Sequence, residues 1–198
     1  MFRNIVQKTP VFTRKGQMSK RMALFLYRSN VLSWTNAMAL ANRSNFHMLS
    51  TSEFERFFDE IFEPDQYTLF DIGGGNGSVT RHLAPLFKTT CVNEPARLMR
   101  WRLRQNMPDL QHFPIDTLPP SKHLIVSLFN VLDIVNEPNE LIAQILTLSP
   151  EFILISIPSE SALFQSKLGT LICWSKVKYY DVDDGDYLDC FIAIYKPH

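Results

Sequence analysis

The chain has 198 residues, 45% of them apolar and 15 of them Phe, which suits one α/β domain with its own core. Lys plus Arg and Asp plus Glu balance at 20 each, yet residues 1–52 hold eight bases (Arg3, Lys8, Arg14, Lys15, Lys20, Arg21, Arg28, Arg43) and no acid. Three widely spaced cysteines (Cys91, Cys173, Cys190) argue against a zinc site or a disulfide framework, and no uncharged apolar run reaches the length of a membrane helix.

Residues 1–20 read as a basic, flexible segment that mildly resembles a mitochondrial presequence, followed by a single domain over 21–198. The compartment stays open: an intracellular one is expected, with mitochondrion and endoplasmic reticulum as candidates. Arg21 to Ala41 reads as one or two helical pieces anchored by Leu24, Leu32, Trp34 and Met38. Ser52 with Glu55 three residues on has the pattern of a capping box, and Phe54, Phe57, Phe58, Ile61 and Phe62 then form a helical apolar stripe that Pro64 ends.

From there strands and helices alternate. Tyr67–Gly73 is a buried strand and Gly77–Phe87 a short helix; Thr89–Glu94 is a second strand, and Pro95–Gln105 an Arg-rich helix with Pro in its first turn. His112–Asp116 and His123–Phe129 are the third and fourth strands, Glu137–Leu148 a helix and Phe152–Pro158 the fifth strand. Ser161–Leu171 reads as a short helix. Two closing strands, Ile172–Tyr180 and Cys190–Tyr195, flank an acidic turn too short for a parallel crossover, so they pair antiparallel. The alternation predicts a mostly parallel Rossmann-like sheet with helices on both faces.

The chemistry gathers at strand ends. Asp71-Ile72-Gly73-Gly74-Gly75-Asn76-Gly77 follows the first strand, and its glycines let the backbone approach a ligand closely. Ser78 removes the second gap of the dinucleotide fingerprint, so the motif reads as an S-adenosylmethionine (SAM) site before an NAD site. Asp71, Gly73, Gly75 and Asn76 form the cofactor turn, Glu94 is placed for the ribose hydroxyls and Asp116 for the adenine amine. Asn130 and Asp133, after the fourth strand, lie where the sulfonium would be. Capping readings stand beside these: Asp71 can orient the loop, Asn76 can cap a helix, and Asn130 and Asp133 can cap a turn. Arg97, Arg100, Arg102 and Arg104 read as a solvated helix face. The five histidines are scattered with no evident partner, and no metal-ligand spacing is present.

Leu32-Ser33-Trp34, Phe46–Phe57, Asp71 through Thr80, Asn130-Val131-Leu132-Asp133, and the ending Gly185-Asp186-Tyr187-Leu188-Asp189 with Lys196-Pro197 carry a resemblance to the DREV family of class I SAM-dependent methyltransferases. The resemblance spans roughly residues 24–198. It implies a seven-stranded sheet ending in an antiparallel hairpin, and methylation of protein histidine in His-x-His motifs. It also implies Asn130, Asp133 and Tyr187 as catalytic residues, with Asn130 contacting the cofactor as well. A monomer acting on protein substrates, with no nucleic acid, is expected. The chain departs from the family at Asn76, where an acid is usual, at Pro95, and in the short stretch between the fifth strand and the hairpin. A different acceptor, or a non-catalytic binding role, remains an alternative.

Overall fold

The computed structural model describes residues 20–29, 31–41, 49–117, 121–132, 134–157, 167–181 and 186–198. Its strands are β1 (Thr68–Ile72), β2 (Thr89–Asn93), β3 (Gln111–His112), β4 (Leu124–Phe129), β5 (Phe152–Ile157), β6 (Thr170–Asp181) and β7 (Asp186–Lys196). Its α-helices are α1 (Lys20–Arg28), α2 (Trp34–Leu40), α3 (Thr51–Phe58), α4 (Thr80–Leu83), α5 (Arg97–Asn106) and α6 (Pro138–Thr147). One sheet runs in the order β3-β2-β1-β4-β5-β7-β6. β1 to β5 pair in parallel, while β7 enters antiparallel between β5 and β6. The strand order reverses at β1 and β4, which opens a crevice at their carboxyl ends.

Both faces of the central strands are buried, which is why these strands read as continuous apolar runs rather than alternating ones. Leu69, Ile125, Leu154 and Ile192 join Phe54 and Phe58 of α3 and Leu83 of α4 on one face. Phe70, Val126, Ile155 and Ala193 meet Ile142 and Ile145 of α6 on the other. The aromatic stripe continues past α3, with Phe62 stacked on Phe58 and on Phe152 at centroid distances of 5.0 Å each.

Several boundaries differ from the sequence reading. The residue capping α3 is Ser50, not Ser52: the Glu53 carboxylate accepts the Ser50 N–H at 2.8 Å and its hydroxyl at 2.7 Å. That register gives the Phe54 N–H a partner, the Ser50 carbonyl at 3.0 Å, before Phe54 turns into the core. The helix expected over 77–87 is α-helical only in α4 and tightens to a 3-10 turn at Ala84–Leu86, because Pro85 has no N–H to extend it. β3 stops at His112, and the same deficit at Pro114 leaves Asp116 in a 3-10 turn (Ile115–Thr117) instead of on the strand. Pro95 lies ahead of α5 rather than in its first turn. Thr170 and Leu171 already belong to β6, so the helix expected over 161–171 does not reach its predicted end; 158–166 lie outside the described residues. Gly169 makes the entry possible, since a Cβ there would sit 2.2 Å from the Lys196 carbonyl oxygen. The flexible segment expected over 1–20 lies almost wholly outside the described residues. Among them, no helix is long and apolar enough to cross a membrane.

The N-terminal helices are not loosely attached. Ala23, Ala37, Met38 and Ala39 pack with Met99 of α5. Arg102, expected on a solvated face, is buried and closes the carboxyl end of α2: Nε donates to the Ala39 carbonyl at 2.8 Å and Nη2 to that of Leu40 at 3.0 Å, while Nη1 reaches Gln105 Oε1 at 3.0 Å. A cation at the negative end of a helix also meets a favourable dipole. Arg102→Ala is expected to cost about 2–4 kcal/mol, as for loss of a buried charged hydrogen-bond donor. Hydrogen exchange should show the loss first in α1 and α2, with the sheet affected later.

Candidate active site

The turn after β1 is built from left-handed backbone, with φ of +72° at Gly73, +60° at Gly75 and +85° at Gly77. A side chain at Gly73 would have nowhere to go, its Cβ falling 2.5 Å from Val131 Cγ2. At Gly75 a Cβ would meet only the Gly73 carbonyl, at 3.9 Å. Glycine there serves the turn itself, and the backbone faces open space. The Asn93 carbonyl, at the end of β2, accepts the N–H groups of Gly73 (2.7 Å) and Gly74 (3.3 Å).

Asp71 lies beneath this turn and is buried. Its Oδ1 accepts the Ser127 hydroxyl and its Oδ2 the Thr80 hydroxyl, both at 2.6 Å, so one carboxylate joins β1, β4 and α4. Burial pushes its pKa up to about 6, against the opposing pull of the two hydroxyls. Glu94, just past β2, accepts the Gly75 N–H through Oε2 at 2.8 Å and the Ala96 N–H through Oε1 at 2.7 Å. Burial raises its pKa too; those two N–H groups and Arg100 lower it, and the charge of Asp71 raises it further. Each oxygen of Glu94 thus spends one lone pair on a backbone N–H, one in the glycine turn and one ahead of α5, and keeps another.

Asn130 follows β4 directly at φ +55°. Its N–H donates to Ser156 Oγ at 2.8 Å, and the Ser156 hydroxyl lies 3.0 Å from Asn130 Oδ1. The chain then turns, with the Val131 carbonyl accepting the N–H groups of Ile134 (3.0 Å) and Val135 (3.1 Å). Gly73, Glu94 and Asn130 therefore stand at the carboxyl ends of three adjacent strands, with Val131 packed under Gly73. Asn76 is buried: its Oδ1 accepts the Ser78 N–H at 3.2 Å and its carbonyl accepts the Asn106 amide at 2.8 Å. Asp116 is exposed on its turn beyond β3. Asp133 lies outside the described residues. Tyr187 pairs by its backbone with Tyr180 at the hairpin's turn, and its side chain lies outside the described set.

Other residues of this region escaped the sequence reading. Ser127 and Ser156 are single serines in the otherwise apolar runs LIVSLF and FILISI. A lone hydroxyl in a strand buried on both faces needs a partner, and that is the signal they carried. Two of the histidines also have partners here: His112 Nε2 sits 3.1 Å from the Glu94 nitrogen and 3.2 Å from its carbonyl oxygen, and His123 Nδ1 lies 2.7 Å from Glu151 Oε1.

The sequence pattern of the DREV methyltransferases matches residues 11–153. The chain belongs to this family. A comparison with curated protein sequences gives no significant match. Among solved structures, this DREV methyltransferase resembles a SAM-dependent methyltransferase from Anabaena variabilis at 13% identity, covering 96% of this chain and 100% of that one, with a TM-score of 0.60. It also resembles a SAM-dependent methyltransferase from Leishmania major (13% identity, 88% and 82% covered, TM-score 0.55). A third likeness is to the N-methyltransferase NodS of Bradyrhizobium japonicum, solved with S-adenosyl-L-homocysteine (15% identity, 66% and 78% covered, TM-score 0.50). At these identities the likeness is one of fold. The enzyme is a SAM-dependent methyltransferase, and SAM is its cofactor.

Asp71 binds a proton more tightly folded than unfolded, so its contribution to stability is fully present below its unfolded value of 3.8 and is lost as pH rises through about 6. Relative to Asp71→Asn, which cannot titrate, the wild type should lose on the order of 3 kcal/mol between about pH 4 and about pH 7. Denaturant unfolding of both proteins across that range measures it.

Proposed function

We propose that this methyltransferase acts on histidine side chains of proteins, in His-x-His sequences, as a monomer. The observation that carries the reading is Asn130, a left-handed polar residue at the mouth of the central strand, followed by Val131 in contact with the glycine turn. A polar side chain held there stands beside the place where the donor loop opens. On the donor side, Gly75 offers close backbone approach while Gly73 makes room for Val131, and the remaining lone pairs of Glu94 suit the two hydroxyl donors of a ribose. Asp116 suits the adenine amine, while Asp71 and Asn76 shape the loop from beneath. These residues fit the cofactor, whose sulfonium supplies an activated methyl group.

The protein's share of the chemistry is alignment and proton handling. A histidine acceptor attacks through the lone pair of one ring nitrogen, so it must be neutral, with the proton on the other nitrogen. An acceptor for that N–H fixes the tautomer and stabilises the imidazolium that forms. With Asn130 Oδ1 held by Ser156, its amide NH₂ is the group most readily offered outward. That assigns the N–H acceptor role to the Asp133 carboxylate and a donor role to Asn130, with Tyr187 as a third contact.

Incubation with labelled SAM and a His-x-His peptide should place label on histidine, with kcat/KM falling as pH drops below about 6.5 and the acceptor protonates. Asp133→Ala should abolish transfer while leaving SAM binding within about threefold of wild type. Glu94→Ala should weaken SAM binding by about tenfold or more, measured by calorimetry. Label on another residue or a small molecule would replace the histidine reading, and absent SAM binding by the wild type would replace the catalytic one.

A further inference from the structure

We propose that Ser156 is a positioning residue of this methyltransferase: its buried hydroxyl fixes both the backbone and the amide of Asn130, and so sets the acceptor side of the site. The inference rests on the proposed function, in which the Asn130 amide donates on the side of the site that receives the methyl group. Ser156 lies on β5, beside Phe129 of β4 and Ile192 of β7, in a strand whose other residues are apolar. An alanine would fill such a position at no polar cost, whereas a buried hydroxyl must be paired. Both of its hydrogen bonds go to one residue, the Asn130 N–H at 2.8 Å and Asn130 Oδ1 at 3.0 Å.

The two contacts use the hydroxyl in both senses, a lone pair for the N–H and its one proton for Oδ1. Together they fix the left-handed backbone and the side-chain rotamer of the same residue. A left-handed turn alone is made most readily by glycine, and asparagine is among the few other residues that tolerate it. An asparagine clasped at both ends is therefore retained for its side chain as well as its φ. With Oδ1 drawn toward β5, the NH₂ is left for a ligand in a single orientation. Loss of the clasp would leave Asn130 in place but free to rotate, and near-attack geometry is sensitive to displacements of that kind.

Ser156→Ala, Asn130→Ala and the double variant test this, with amide exchange of Asn130 as a readout independent of turnover. Ser156→Ala should speed Asn130 exchange by about tenfold or more relative to its β5 neighbours. It should also lower kcat by about tenfold and leave SAM binding within about twofold of wild type. On the Asn130→Ala background, Ser156→Ala should change kcat by less than about twofold, because it acts only through Asn130. Ser156→Thr, which keeps the hydroxyl, should recover kcat. Unchanged Asn130 exchange, or losses that multiply in the double variant, would overturn the proposal. If Ser156→Ala does not fold, Ser156→Cys, a weaker donor of similar size, is read the same way with an intermediate loss of protection expected. A wild type that methylates an acceptor other than histidine overturns the histidine assignment, while exchange and the double variant still decide on Ser156.

Discussion

A carboxylate with two hydroxyls, sealed under a glycine turn, holds this methyltransferase site together. Asp71 is buried in β1, where an ionised acid is costly unless its oxygens are satisfied. Ser127 reaches it from β4 and Thr80 from α4, so the group that must be satisfied also ties together the three elements bordering the crevice. The turn starts two residues later. Its position against Asn93 of β2, and the room left for left-handed glycines, follow from where Asp71 pins β1.

The carboxyl ends of β2, β1 and β4 meet through contacts that leave little slack. Gly73 lies against Val131, so the glycine turn and the turn after β4 share a surface. Glu94 accepts the Gly75 N–H and thereby joins the ends of β2 and β1. The charge of Asp71 raises the proton affinity of Glu94 across the loop. Hydroxyl pairing from a neighbouring strand recurs, Ser127 serving Asp71 and Ser156 serving Asn130.

Much of this was legible in the sequence because it follows from local pattern. The apolar runs give β1, β4 and β5, the glycine spacing gives the turn, and the short acidic connection gives the antiparallel pair. What escaped depends on partners distant in the chain. Arg102 reads as one of four helix-face arginines until α2 brings its carbonyls to it. The α3 cap slipped by two residues because both Ser50 and Ser52 have a glutamate three positions on, and only in the folded chain does Glu53 close on Ser50. Asp116 slipped off its strand because the missing donor of Pro114 carries more weight than the apolar pattern around it. After β4, sequence names Asn130 but not the serine on β5 that is hydrogen-bonded to it.

The antiparallel entry of β7 bears on how the protein is made. During synthesis the chain emerges from its N-terminal end, and the parallel core through β5 is complete before the hairpin appears. β6 then emerges without its neighbour, since it pairs only with β7, and β5 keeps an open apolar edge until β7 arrives to fill it. An exposed sheet edge is a template for wrong pairing. A chain that stopped within β7 would thus lose two strands from the sheet and leave β5 as its open edge.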